Sequence, residues 1–163
     1  MNLLKFLKKK SDTKTDIKYD DGIKALPAGI LFEDSGQLVA WAVPIEQEKL
    51  YTKKGYRADR TIYEWGERTI LKGLRLPLTT VLWKHKMEDG IGVPSIEFSA
   101  EKEDAEKYFQ LISAHLHHHF GIPKNKSEEP GTFFEWKVGV VKLSLSLFEQ
   151  YHTDKLVFQI DRV

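Results

Sequence analysis

The sequence predicts an α+β fold: an antiparallel sheet built from hairpins, packed against one long helix over about residues 100–120. Three observations predict it. Strand-like runs punctuated by turn residues occupy the chain from Ile30 to Phe98. Next, Ala105, Phe109, Ile112, Leu116 and Phe120 recur at three- and four-residue spacing, which makes one apolar helical stripe. Two strictly alternating runs then follow, Val141 to Leu147 and Leu156 to Ile160. Strand runs with one late helix argue for α+β over a parallel α/β sheet.

Taken in order, residues 1–24 read as a flexible basic tail and 25–163 as a single domain. Lys8, Lys9 and Lys10 lead into Ser11-Asp12-Thr13-Lys14-Thr15-Asp16, which has no hydrophobic period. On a helix, Leu3, Leu4, Phe6 and Leu7 would share one side and Lys5, Lys8 and Lys9 the other, the pattern of an interfacial segment. So short a segment falls below the ~12–15 residues at which isolated helices become marginal in water. At most a weak, salt-sensitive membrane contact is expected, and Asn2 excludes N-myristoylation.

Ile30-Leu31-Phe32 and Leu38 to Val43 flank Asp34-Ser35-Gly36 as a hairpin, and Pro44 closes it. Thr61 to Trp65 and Arg68 to Leu71, around Gly66-Glu67, read as a second hairpin, with a helix from Asp59 to Leu71 as the competing reading. Leu78 to Trp83 and Ser95 to Phe98 are further strands, separated by a turn at Glu88-Asp89-Gly90-Ile91-Gly92. Ser99 is the expected N-cap of the helix. Glu101, Glu103 and Asp104 suit its positive end, and Gly121 and Pro123 end it. Lys124 to Thr132 reads as a polar loop, before a final hairpin in which Phe134, Trp136 and Val138 also alternate.

Composition excludes several classes. Apolar residues make up 41% and charged residues 30%, the balance of a globular chain. With 25 basic and 24 acidic residues, no whole-molecule field gathers nucleic acid. Lys49, Lys53, Lys54, Arg57 and Arg60 interleave with Tyr51 and Tyr56, yet Glu46, Glu48 and Asp59 lie among them, so this stretch reads as a solvated connecting loop. Nucleic acid is not an expected partner. The absence of cysteine excludes disulfides, thiolate catalysis and cysteine-ligated zinc. There is no signal-peptide pattern and no apolar run of ~18 residues, so a cytoplasmic location is expected.

Candidate chemistry is sparse. His115 and His119 are one helical turn apart and could share a metal, His118 could instead pair with His115, and His152 or His85 could supply a third ligand. The run His115-Leu116-His117-His118-His119 lacks the glutamate of His-Glu-x-x-His, so no zinc-protease base is present. Histidines near a helix C-terminus also interact favourably with the dipole, and no metal is expected. His152 and Asp154 with Ser144 or Ser146 contain triad residue types, but both serines sit at polar positions of an amphipathic strand. No phosphate loop is present and no cofactor is expected. No catalytic residue is assigned.

The C-terminal half has a recognisable outline: a helix ending in Leu116…Phe120-Gly121-Ile122-Pro123, a polar loop leading to Trp136, then Val141 to Leu147 paired with Leu156 to Ile160. This layout of about 65 residues resembles small bacterial proteins of unassigned function, including immunity proteins of polymorphic toxin systems. The Leu/Phe segment followed by lysines at the N-terminus is similar to theirs too. The resemblance implies a compact module that binds another protein and performs no chemistry. Four Trp, six Tyr and nine Phe suit both a core and an interface. The alternative is a small enzyme whose site is dispersed along the chain.

Overall fold

Alternation decides which face each strand buries, and turn residues decide where it ends. The computed structural model describes residues 21–83, 95–127 and 131–163. Leu3, Leu4, Phe6, Leu7, His85 and the Glu88–Gly92 turn lie outside the described residues. In chain order the elements are α1 (Gly22–Ala25), β1 (Gly29–Phe32), β2 (Gln37–Ala40), α2 (Ile45–Glu48), β3 (Lys53–Tyr56), β4 (Arg60–Ile70) and β5 (Leu74–Trp83). There follow β6 (Ser95–Glu101), α3 (Glu103–Phe120), β7 (Asn125–Ser127), β8 (Gly131–Val138), β9 (Val141–Gln150) and β10 (Thr153–Arg162). Among the described residues no helix is long and apolar enough to cross a membrane.

The fold is α+β. An eight-stranded antiparallel sheet runs β3-β4-β5-β6-β10-β9-β8-β7, and β1 and β2 form a separate hairpin. One face of the large sheet is covered. Ala105, Phe109, Ile112 and Leu116 on α3 are buried against Ile96 and Phe98 of β6, Leu143 and Leu145 of β9, and Leu156, Phe158 and Ile160 of β10. The β1–β2 hairpin covers the β4–β5 half of the same face, where Phe32 meets Trp65 edge to face at 5.8 Å. The predicted apolar stripe and the final hairpin therefore lie where alternation put them.

Four local expectations are corrected. First, residues 60–70 are neither a hairpin nor a helix but one strand, because Gly66 (φ +75°) closes a β-bulge and not a turn. Glu64 pairs Thr79 and Gly66 pairs Leu78, leaving Trp65 as the extra residue. The turn comes later, at Leu71-Lys72-Gly73, where all three φ angles are positive. Second, Ser99 is not an N-cap. It pairs with Val157 inside β6, and α3 starts after Lys102 with no side-chain cap. The β6–β10 ladder outcompetes the local capping signal, since it satisfies several backbone groups at once. Third, the Lys49–Arg60 loop contains the edge strand β3. Fourth, the Lys124–Thr132 loop contains β7, which pairs with β8.

The two halves of the large sheet meet at β5 and β6, where among the described residues Thr79 pairs with Glu97. Pro77 in β5 has no N–H to offer toward β6. Side-chain hydroxyls add to the seam: Thr79 Oγ1 donates to the Glu97 carbonyl at 3.3 Å and Thr80 Oγ1 to the Ser95 carbonyl at 2.7 Å.

Candidate functional site: the helix-free face of the sheet

The face opposite α3 carries the complementary set of alternate positions, and among the described elements none packs on it. Strand register aligns these positions into a row that crosses all eight strands: Asn125, Glu135, Ser144, Gln159, Glu97, Thr79, Glu64 and Lys53. One flanking row holds Lys137, Lys142, Asp161 and Ser95. On the other side lie Phe133, Ser146, Val157 and Ser99. Polar groups thus occupy the centre, with half-buried aromatic and aliphatic side chains beside them.

Glu97 is the centre of this face. It pairs with Gln159, so Asp161 is its diagonal neighbour on β10, at a spacing where side chains still interact. Burial pushes the Glu97 carboxyl above the usual carboxylate range, the Asp161 charge pushes it further, and the Arg60 guanidinium opposes both. Asp161 is likewise raised by burial, against the pull of Lys142 at 3.7 Å and of Gln159, whose Nε2 donates to Oδ1 at 2.8 Å. Arg60 itself lies over the Trp83 ring, 4.7 Å from the centroid. The result is a pair of half-buried carboxyls with two cations at its edges, a centre suited to receiving a cationic group.

The residues singled out in the sequence lie elsewhere. The rings of His115 and His119 come together, 4.6 Å between centroids, and His118 touches His119 at 4.7 Å. His115 Nε2 is already taken by the Leu71 carbonyl at 2.6 Å. His152 is at the opposite end of the helix, fully exposed in the β9–β10 turn, with Nδ1 3.5 Å from Glu149. Among the described residues no three His, Asp or Glu side chains form a metal-holding group. The triad residue types also stay apart: Ser144 and Ser146 are on β9, while His152 and Asp154 line an open depression of about 470 Å3 with Lys102, Glu103, Glu106 and Thr153. His117 is structural, its Nδ1 bonded to the Ser113 carbonyl at 2.7 Å and its ring edge-on to Phe134 and Trp136.

In the basic segment, Lys53 pairs with Glu64 at 3.3 Å, Arg60 with Asp59 at 3.8 Å, and Lys54 with Glu46. Glu46 also accepts from Tyr63 at 2.6 Å and Tyr51 at 3.0 Å. The Lys54 ammonium and the Tyr63 hydroxyl hold the Glu46 carboxyl down at about 2, and burial with that carboxylate pushes the Tyr63 hydroxyl up to about 12. This cluster anchors α2 to β3 and β4.

Sequence reasoning missed Glu97 and Asp161. Alternation of Ile96 and Phe98 places Glu97 on the polar face, and alternation of Phe158 and Ile160 does the same for Asp161. What brings the two together is the β6–β10 pairing across 64 positions, which no local signal announces. No family model, no curated protein and no solved structure matches this chain.

Proposed function

We propose that this chain is a non-enzymatic protein-binding module of the immunity type, acting in the bacterial cytoplasm. We propose that the helix-free face of its large sheet meets the partner. The observation that carries this reading is the polar row crossing all eight strands, with Glu97 at its centre and Asp161 diagonal to it in the neighbouring row. A broad face with half-buried Phe133 and Val157 beside a partly desolvated polar centre supports a protein interface. The occupant that fits is a protein surface presenting a lysine or arginine to the two carboxyls, because a cation there relieves their mutual repulsion.

Affinity capture from producing cells tests it with three forms of the full chain: wild type, Glu97→Gln with Asp161→Asn, and Lys107→Glu on the solvent side of α3. A protein retained by wild type and by the α3 variant, and lost by the double variant while that variant stays folded, supports the proposal. Equal capture by all three overturns it.

A second reading rests on the same pair. A carboxyl that burial pushes above the usual carboxylate range holds its proton more firmly, as a general acid does. Under that reading Glu97 and Asp161 serve a dispersed enzymatic site, and turnover of a small substrate lost in Glu97→Gln would favour it over binding.

A further inference from the structure

We propose that the outer edge of β3 is a strand-addition site, which an extended acidic segment of a second protein joins as a further antiparallel strand of the large sheet. The proposal goes beyond the binding reading above and does not depend on it.

Backbone polarity sets the edge. β3 is a terminal strand of the sheet, and among the described residues nothing pairs beyond it. The Arg57 N–H donates to the Arg60 carbonyl at 2.8 Å, in register with the β3–β4 pairing. Antiparallel ladders alternate, so the N–H and C=O of Gly55 also turn to β4, and those of Lys54 and Tyr56 turn outward. Such a row of outward donors and acceptors is a template for another strand. Edge lysines ordinarily block that pairing with their charge. Both lysines of β3 are instead drawn inward. Lys53 pairs with Glu64 of β4 at 3.3 Å. The Lys54 ammonium is held by Glu46 and lies 5.3 Å from the centroid of the Tyr63 ring on β4.

The side chains choose the occupant. Arg57 is exposed and has no carboxylate partner among the described residues. Lys53 keeps 70% of its side chain exposed. Between them Gly55 leaves a notch on the helix-free face, where the nearest atom to an added Cβ is the Ile62 carbonyl oxygen at 4.0 Å. On an added antiparallel strand, acidic residues opposite Arg57 and Lys53 make cross-strand ion pairs. A large apolar residue between them covers the glycine. The intervening positions fall on the other face, where Tyr56, 71% exposed, offers an apolar contact. The backbone ladder supplies affinity, and the acidic–apolar–acidic alternation supplies selectivity.

The test titrates a capped peptide, Thr-Glu-Val-Phe-Val-Glu-Thr, into the full isotope-labelled chain, beside a control peptide with lysine in place of both glutamates. On binding, the amides of Lys54 and Tyr56 should shift and exchange more slowly, while those of Gly55 and Arg57 stay protected by the existing ladder. Tyr56→Pro removes an outward N–H and none from the ladder, a change that edge strands accept. It should weaken binding by about three- to tenfold, the worth of one hydrogen bond. Arg57→Glu should weaken the acidic peptide and strengthen the lysine control. No binding at about 1 mM peptide, shifts confined to other surfaces, equal binding of the two peptides, or wild-type affinity in both variants overturns the proposal. So does slow exchange of the Lys54 and Tyr56 amides in the free chain, because another segment of this chain or a second copy would then hold the edge.

Discussion

The indole Nε1 of Trp65 donates to the Thr80 hydroxyl at 3.0 Å, and that hydroxyl, wholly buried, donates onward to the Ser95 carbonyl. One side chain thus links β4, β5 and β6 beside the Thr79–Glu97 pair. Thr80→Val keeps the shape and strands both partners in the core. It should cost about 2–4 kcal/mol in urea unfolding, with Thr80→Ser much milder. A loss under ~0.5 kcal/mol for the valine would show that the hydroxyl does not hold the seam.

The buried stripe of α3 makes a second test. Ile112 and Leu116 are fully buried, whereas Leu111, on the same helix, is 48% exposed. Leu116→Ala should cost ~2–5 kcal/mol. Leu111→Ala should stay within ~0.5 kcal/mol. Similar effects from the two substitutions would contradict the face assignment.

Two groups of carboxylates should push stability in opposite directions with pH. Glu46 is depressed from 4.5 to about 2, so its contribution is present above about 4.5 and disappears as pH falls toward 2. Its side chain is half exposed, which limits the effect to about 1 kcal/mol. Glu46→Gln should flatten the acid limb of the stability profile.

Glu97 is raised, so what it contributes is present below the unfolded value of 4.5 and is lost as pH rises through its folded value. Glu97→Gln should therefore leave stability at neutral pH unchanged or higher while lowering function, the usual mark of a site kept for its chemistry. Denaturant melts across about pH 4–8 distinguish the signs. A variant clearly less stable at neutral pH would make Glu97 a structural residue and remove it from the candidate site.

For the histidines, untagged protein should carry no stoichiometric zinc, and a chelator should leave the unfolding midpoint where it was. His115 is committed to the Leu71 carbonyl, and His152 lies in a turn at the other end of α3. Elemental analysis near one zinc per chain, or a midpoint that drops on chelation, would reverse this conclusion.

The sequence by itself determined every feature that rests on local periodicity. Phe109, Ile112 and Leu116 announce the buried stripe of α3, and Val141, Leu143 and Leu145 announce the buried face of β9, because 3.6- and 2-residue repeats translate directly into faces. Where two local signals compete, the tertiary structure decided. Gly66-Glu67 has the composition of a turn, yet a longer ladder with β5 is gained if Gly66 bulges. Ser99 has the chemistry of a cap, yet its pairing with Val157 satisfies more of the backbone. The candidate site belongs to the same class. Glu97 and Asp161 are each readable as polar-face residues, but their meeting is a property of strand register. Register is set by which apolar rows fit together beneath α3, and that is a fact about the whole packed sheet.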